Sequence, residues 1–141
     1  MINTKLTRKA MIIAYNAHMG QVDKTLVPYI YHPIHVAEQM NDEVTCIVAL
    51  LHDVVEDTEV IFTDLEKEFS KEIVDILRLL THDKNIDYME YIEKIKNNKI
   101  AVKVKIADLK HNMDKSRLDE VDEKALIREE KYKKALEILI N

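Results

Sequence analysis

A chain of 141 residues, 47% hydrophobic and 33% charged, has room for one core and one pocket, since domains cluster near roughly 100–150 residues, and it is too apolar for an intrinsically disordered chain. Its net charge of −5 offers no overall basic field to duplex DNA or RNA, and no apolar run reaches the ~18 residues that a membrane-spanning helix requires, so neither nucleic acid nor a membrane is an expected partner. With a lone Cys46, no signal-like start, one glycine and two prolines, the chain reads as a helical protein of a reducing cytoplasm, because sheet sandwiches need more turn formers.

Thr7 to Met19 carries Ala10, Met11, Ala14, Tyr15 and His18 at helical spacing, and Gly20 follows where a left-handed cap is wanted. After an irregular stretch around Pro28, a second helix is expected from Pro33 to Met40. Proline then takes the first position, where its missing N–H is harmless, and His32 projects from the helix start. Asn41 or Asp42 can cap a third helix, which runs through Val44–Leu51 into His52 and Asp53. Thr63-Asp64-Leu65-Glu66 fits a capping box for a short helix to Phe69. Ser70 caps the next, through Ile73, Val74, Ile76, Leu77 and Leu80.

Asp87 to Lys96 places Tyr88, Met89, Ile92 and Ile95 at helical spacing. Ile100 to Ile106 alternates with period two and scores locally as a strand. It is nevertheless assigned to a helix, because no second strand exists to take up its backbone groups. Past Leu118, acidic residues 119–123 open a final packing helix with Val121, Ala125, Leu126, Tyr132, Leu136 and Leu139 inward.

The chemistry concentrates in Leu51-His52-Asp53-Val54-Val55-Glu56-Asp57-Thr58. On a continuous helix His52 lies over Glu56 and Asp53 over Asp57. One imidazole and three carboxylates on one surface repel unless a cation neutralises them. His32, and Asp108 within Ile106–Asn112, complete a set of two imidazoles and two carboxylates: His32, His52, Asp53 and Asp108. Such mixed ligation suits Mn, Fe or Zn better than Ca or Mg, which prefer oxygen shells. Glu56 is placed to take a proton from water, and Asp57 to orient that water or pass the proton on.

Other residues have plainer readings. His18 and His111 are read as hydrogen-bonding partners near the site or in the core, and His35 and His82 as surface residues. Tyr29 and Tyr31 are read as core aromatics, with a nucleotide pocket as the other option. The lysines between Lys94 and Arg117 form a solvated face, although Lys105 or Lys115 shares the face of Asp108 on a regular helix and would meet phosphate charge there.

Taken together, Ala17-His18-Met19-Gly20-Gln21, Pro28-Tyr29-Ile30-Tyr31-His32-Pro33, Leu50 to Thr58 and Ile106 to Met113 resemble the HD superfamily of metal-dependent phosphohydrolases. More narrowly, they resemble the hydrolase domain of the RelA/SpoT family, including its small single-domain forms. The resemblance implies an all-α, single-domain helical bundle over residues 1–141, with 119–141 as the terminal packing helix. It also implies one Mn²⁺ on His32, His52, Asp53 and Asp108, an acid–base pair in Glu56 and Asp57, and support of the substrate or the metal-bound water by Asn112. The activity it implies is removal of the 3′-pyrophosphate from (p)ppGpp.

Lys24 matches a family position that faces the nucleotide. The chain departs from the family at Asp23, where an arginine is usual, and at Leu109 and Asp114, where arginine is frequent. The charge reversal at Asp23 favours a second reading, a hydrolase of another nucleotide such as a nucleoside monophosphate or an NADPH-like dinucleotide; a third, a nucleotide-binding module without turnover, is opposed by the intact Glu56 and Asp57. The final helix leaves a homodimer open.

Overall fold

The apolar run Thr45–Leu51 is buried without interruption in the computed structural model, which describes residues 1–141. That run belongs to α3 (Glu43–Leu51), against which α1 (Lys5–Ala17), α2 (Tyr31–Glu38), α6 (Lys71–Leu80) and α8 (Lys99–Asn112) pack. Two short helices, α4 (Val54–Asp57) and α5 (Phe62–Glu66), follow α3; α7 (Tyr88–Ile95) precedes α8, and a 3₁₀ turn (Lys115–Arg117) leads to α9 (Glu123–Ile140). The architecture is all-helical, as the composition implies. Its single β-type pairing is an isolated antiparallel bridge between Val22 and Pro28. One contiguous cluster of 28 buried residues draws on helices from α1 to α9, so the site below rests on one core rather than on a seam between two. No helix is long and apolar enough to cross a membrane.

The caps define the ends. Of the two candidates before α3, Asp42 is the cap, accepting from the Thr45 N–H at 2.8 Å, and Ser70 accepts from the Ile73 N–H at 3.3 Å as expected. The alternating stretch 100–106 lies inside α8, capped by Asn98. It alternates because α8 is surrounded: α2, α3, α6 and α9 all pack on it, so Ala101 and Val104 are fully buried while Val102 and Ile106 meet other neighbours.

Several boundaries differ from the sequence reading. The first helix starts at Lys5 under a Thr4 cap, although Gly20 does take the left-handed conformation expected of it, at φ 87°. α2 starts at Tyr31 and not at Pro33, so Pro33 is its third residue. The substitution of position is free, because the first-turn N–H groups have no intrahelical acceptors in any case. In α5 the cap is displaced: Asp64 Oδ2 accepts from the Ile61 N–H at 3.2 Å, which places Thr63 inside a helix that ends at Glu66 rather than Phe69. The final helix begins only at Glu123, under an Asp122 cap. Ala125, Ala135 and Leu139 form its buried face with Tyr132 and Leu136 partly covered, whereas Val121 and Leu126, expected inside, are 47% and 52% exposed.

Candidate functional site

His52 and Asp53 sit at a joint, not on a continuous helix. α3 stops at Leu51 and α4 resumes at Val54, with Asp53 at φ −105°, ψ −1° between them. The His52 Nδ1 donates to the Ala49 carbonyl at 2.6 Å, so the ring caps a last-turn carbonyl of α3. Part of the expected stacking survives, since the Asp57 N–H still bonds the Asp53 carbonyl at 3.0 Å.

Four side chains from three parts of the fold converge here: His32 from the first turn of α2, His52 and Asp53 from the joint, and Asp108 from α8. One donor atom from each lies within 4.8 Å of all the others. His32 Nε2 is 2.8 Å from Asp108 Oδ1 and 3.8 Å from Asp53 Oδ2. His52 Nε2 is 3.0 Å from Asp53 Oδ2 and 3.4 Å from Asp108 Oδ1, yet it is buried and aligned for a hydrogen bond with neither. Because Nδ1 carries the donated hydrogen, the neutral ring holds its lone pair on that unpartnered Nε2.

The electrostatics point the same way. Burial alone would raise the Asp53 carboxyl, but the His52 imidazolium outweighs it and holds Asp53 down to about 2. Burial is likewise overcome at Asp108, which Lys105 and then His52 keep well below the usual carboxylate range. Burial would lower His52, yet Asp53 and Asp108 drive it well above its ordinary value, so without a cation the protonated ring itself supplies the positive charge, and a cation would take its place on Nε2. The buried Asp108 and half-buried Asp53 carboxylates therefore demand positive charge between them. A divalent cation fits that demand, the mixed N/O donor set and the orphaned Nε2 together.

Around the cluster, neighbours hold each ligand in place. Tyr29 donates its hydroxyl to Asp53 Oδ2, and Asn112 Nδ2 donates to Asp108 Oδ1 at 3.0 Å. Lys105 is not part of a solvated face. Its ammonium, with the side chain 12% exposed, pairs with Asp108 Oδ2 at 2.9 Å beneath the rings of Tyr88 and Tyr91. His32 Nδ1 meets His111 Nδ1 at 2.7 Å, and burial, then Arg117, pushes His111 down to about 4.

Glu56 and Asp57 occupy the rim. Glu56 Oε1 accepts from the His82 backbone N–H at 2.7 Å, which fixes its carboxylate. Asp57 is exposed as a residue, but desolvation of its carboxyl, then the charges of Asp53 and Glu56, push it up to about 6. Its carbonyl accepts from Gln21 Nε2 at 2.8 Å, and Gln21 Oε1 in turn accepts from Nδ1 of the buried His18. His18 is thus the hydrogen-bonding partner it was read as. His82 is not a plain surface residue: half-buried, it bonds the Ile86 carbonyl and packs on Tyr91 at 4.7 Å.

Beside the cluster opens a cavity of about 440 Å³ lined by Lys24, Asn112, Tyr29, Tyr132, Arg117 and Arg128, among others. The two residues singled out for substrate, Lys24 and Asn112, share this cavity, and Asn112 also touches Asp108. Tyr29 is therefore a site residue and not core, and Tyr31 is 59% exposed. Lys115 lines the cavity too but pairs with Glu129 at 2.8 Å. Asp23 Oδ1 accepts from the Thr25 and Val27 N–H groups, organising its loop, while its Oδ2 lies 3.7 Å from the Arg117 guanidinium.

Sequence reading missed Arg117, Arg128 and Tyr132 as cavity residues. The first two were lost among ordinary surface cations. Tyr132 was placed correctly on the inner face of the last helix, but nothing local says that this face also walls a pocket.

The HD domain family model matches residues 10–130. The bifunctional (p)ppGpp synthase/hydrolase SpoT of Escherichia coli K12 is 34% identical over 124 residues, covering 77% of this chain and 18% of that protein. The GTP pyrophosphokinase rsh of Brucella melitensis is 31% identical over 144 residues, covering 92% of this chain and 19% of its own length. The chain thus spans under a fifth of these curated relatives. A solved structure of a metazoan SpoT ortholog, described as hydrolysing ppGpp with a role in starvation responses, superposes with a TM-score of 0.79 at 26% identity, covering 99% of this chain and 86% of that one.

Proposed function

Since this chain belongs to the HD domain family, we propose that it is a metal-dependent guanosine-3′,5′-bis(diphosphate) 3′-pyrophosphohydrolase that uses Mn²⁺, with Fe or Zn as chemically similar substitutes. The convergence of His32, His52, Asp53 and Asp108 on one point, with His52 Nε2 unpartnered, carries the reading. The ppGpp hydrolysis described for the metazoan ortholog and for the bacterial SpoT synthase/hydrolase supports the substrate.

A divalent cation bound there would acidify water and polarise a phosphoryl oxygen. The chain's own residues do the rest. The water oxygen bonds to the phosphorus attached to the ribose 3′ oxygen, the bond from that phosphorus to the ribose oxygen breaks, and pyrophosphate leaves. Glu56, tethered to the His82 backbone, takes the water's proton. Asp57, beside it on the same short helix, passes the proton on to the departing ribose 3′ oxygen. Phosphoryl transfer depends chiefly on positioning and charge neutralisation, which Lys24, Arg117 and Arg128 supply from the cavity while Asn112 spans cavity and cluster. Arg117 also answers the charge reversal at Asp23, since it stands beside that carboxylate.

The test is incubation of Mn²⁺-loaded protein with ppGpp, NADPH and nucleoside monophosphates, with Asp53→Ala as control. Pyrophosphate released from ppGpp, abolished in Asp53→Ala and by a chelator, is the expected result. Phosphate released from another substrate alone, or binding with no product, would replace the proposal.

A further inference from the structure

His32 can serve a cation through Nε2 only if Nε2 carries a lone pair, and a neutral imidazole keeps that lone pair only when its hydrogen is on Nδ1. For His52 the backbone settles the matter, because the Ala49 carbonyl can only accept. His32 has no such carbonyl, and its Nε2 bonds the Asp108 Oδ1 acceptor at 2.8 Å, a donor role it must give up to a cation. Its Nδ1 faces another imidazole, Nδ1 of His111, at 2.7 Å. The two ring planes differ by 6° with centroids 5.0 Å apart. That spacing is what an edge-to-edge bond in a shared plane gives, not a face-to-face stack.

A bond between two ring nitrogens can run either way. Only one direction suits a cation: His32 Nδ1 donates, His111 Nδ1 accepts, and His111 keeps its hydrogen on Nε2. The surroundings hold the acceptor ring in that plane. His35 stacks on the His111 ring at 3.9 Å and 16°, and Arg117 Nη1 donates to the His111 carbonyl at 2.8 Å, anchoring the end of α8.

Resting on the reading of the four-residue cluster as a cation site, we infer that His111 is a positioning residue that sets the tautomer of His32 by accepting its Nδ1 hydrogen, and that His35 holds the His111 ring in place. The residue beyond a ligating imidazole fixes its orientation and basicity, and losing it costs 10–100-fold in metal affinity or activity as a rule.

Asparagine places a side-chain oxygen near the Nδ1 position of histidine, glutamine near Nε2, and leucine supplies no acceptor. Mn²⁺ affinity measured by chelator competition should therefore fall roughly 10–100-fold in His111→Leu and His111→Gln and stay within about threefold of the parent in His111→Asn. Long-range ¹H–¹⁵N NMR of the unsubstituted protein loaded with diamagnetic Zn²⁺ should find the His32 hydrogen on Nδ1 and that of His111 on Nε2, a readout independent of any variant's folding. Parent-like affinity in His111→Leu, equal loss in His111→Asn and His111→Leu, or a His32 ring without hydrogen on Nδ1 would overturn the inference while leaving the cation site standing. Failure of the unsubstituted protein to take up Mn²⁺ would overturn both.

Discussion

Tyr29 donates its hydroxyl to Asp53 Oδ2, the same oxygen that lies 3.0 Å from His52 Nε2 and 3.8 Å from His32 Nε2. Burial, then the Asp53 charge, raises the phenol far above its ordinary value, so it remains a donor at every working pH. Tyr29→Phe removes one oxygen atom and leaves the ring. Mn²⁺ affinity should drop on the order of tenfold or more, read by chelator competition. An unchanged affinity would mean that the hydroxyl only stabilises the metal-free fold.

Lys105 is the counter-charge to the outer oxygen of Asp108, in a pair with side chains 12% and 5% exposed. Removing one partner of a buried pair costs about 3–5 kcal/mol, because the other charge is left stranded. Lys105→Met should lose that much in urea unfolding of the metal-free protein. Adding Asp108→Asn to the same chain should restore a large part of it, since neighbouring effects are not additive. A loss under about 1 kcal/mol, the level of exposed pairs, would show that water reaches the ammonium.

Asp57 makes stability depend on pH. Its carboxyl is raised to about 6 from about 3.9 in an unfolded chain, so the folded state binds the proton more tightly. The group is neutral to stability below pH ~3.9 and unfavourable above pH ~6. In the presence of a chelator, Asp57→Asn should melt higher than the parent at pH 7.5 and level with it near pH 4. The same variant should lose ~10²–10⁴ in turnover with Mn²⁺. Equal melting differences at both pH values would detach the effect from ionisation.

Arg117 and Asp23 oppose each other across 3.7 Å at the cavity wall. Arg117→Ala should raise KM for ppGpp about tenfold, the scale of a charged hydrogen bond, and Asp23→Asn should lower it. Neither is a cluster ligand, so with Mn²⁺ saturating, which offsets the lost Arg117 bond to the His111 carbonyl, kcat should hold. A fall in kcat with KM unchanged would move Arg117 from binding to transition-state stabilisation.

The four cluster residues were legible because each carries its own chemistry, and the helices because caps such as Asp42 and Ser70 stand directly before periodic runs. The joint after Leu51 was not legible. Nothing in Leu51-His52-Asp53 breaks a helix by propensity; the break is made by a ring bonding the carbonyl three residues back, which depends on three-dimensional packing. Lys105 was read as solvated for a related reason: a lysine amid apolar residues looks like an exposed stripe until Tyr88 and Tyr91, from a different helix, are laid over it. Asp23 was legible only as a departure, because its cation, Arg117, lies far along the chain.

The cation cluster draws on α2, the α3–α4 joint and α8, whereas much of the cavity wall comes from the 23–25 loop, the 3₁₀ turn and α9. On the proposed function, reactivity and selectivity would be encoded on largely separate stretches of polypeptide. Substitutions along the wall would then redirect which phosphorylated molecule is admitted without re-inventing the reaction, leaving descendants of this scaffold free to diversify in diet while inheriting the same chemistry.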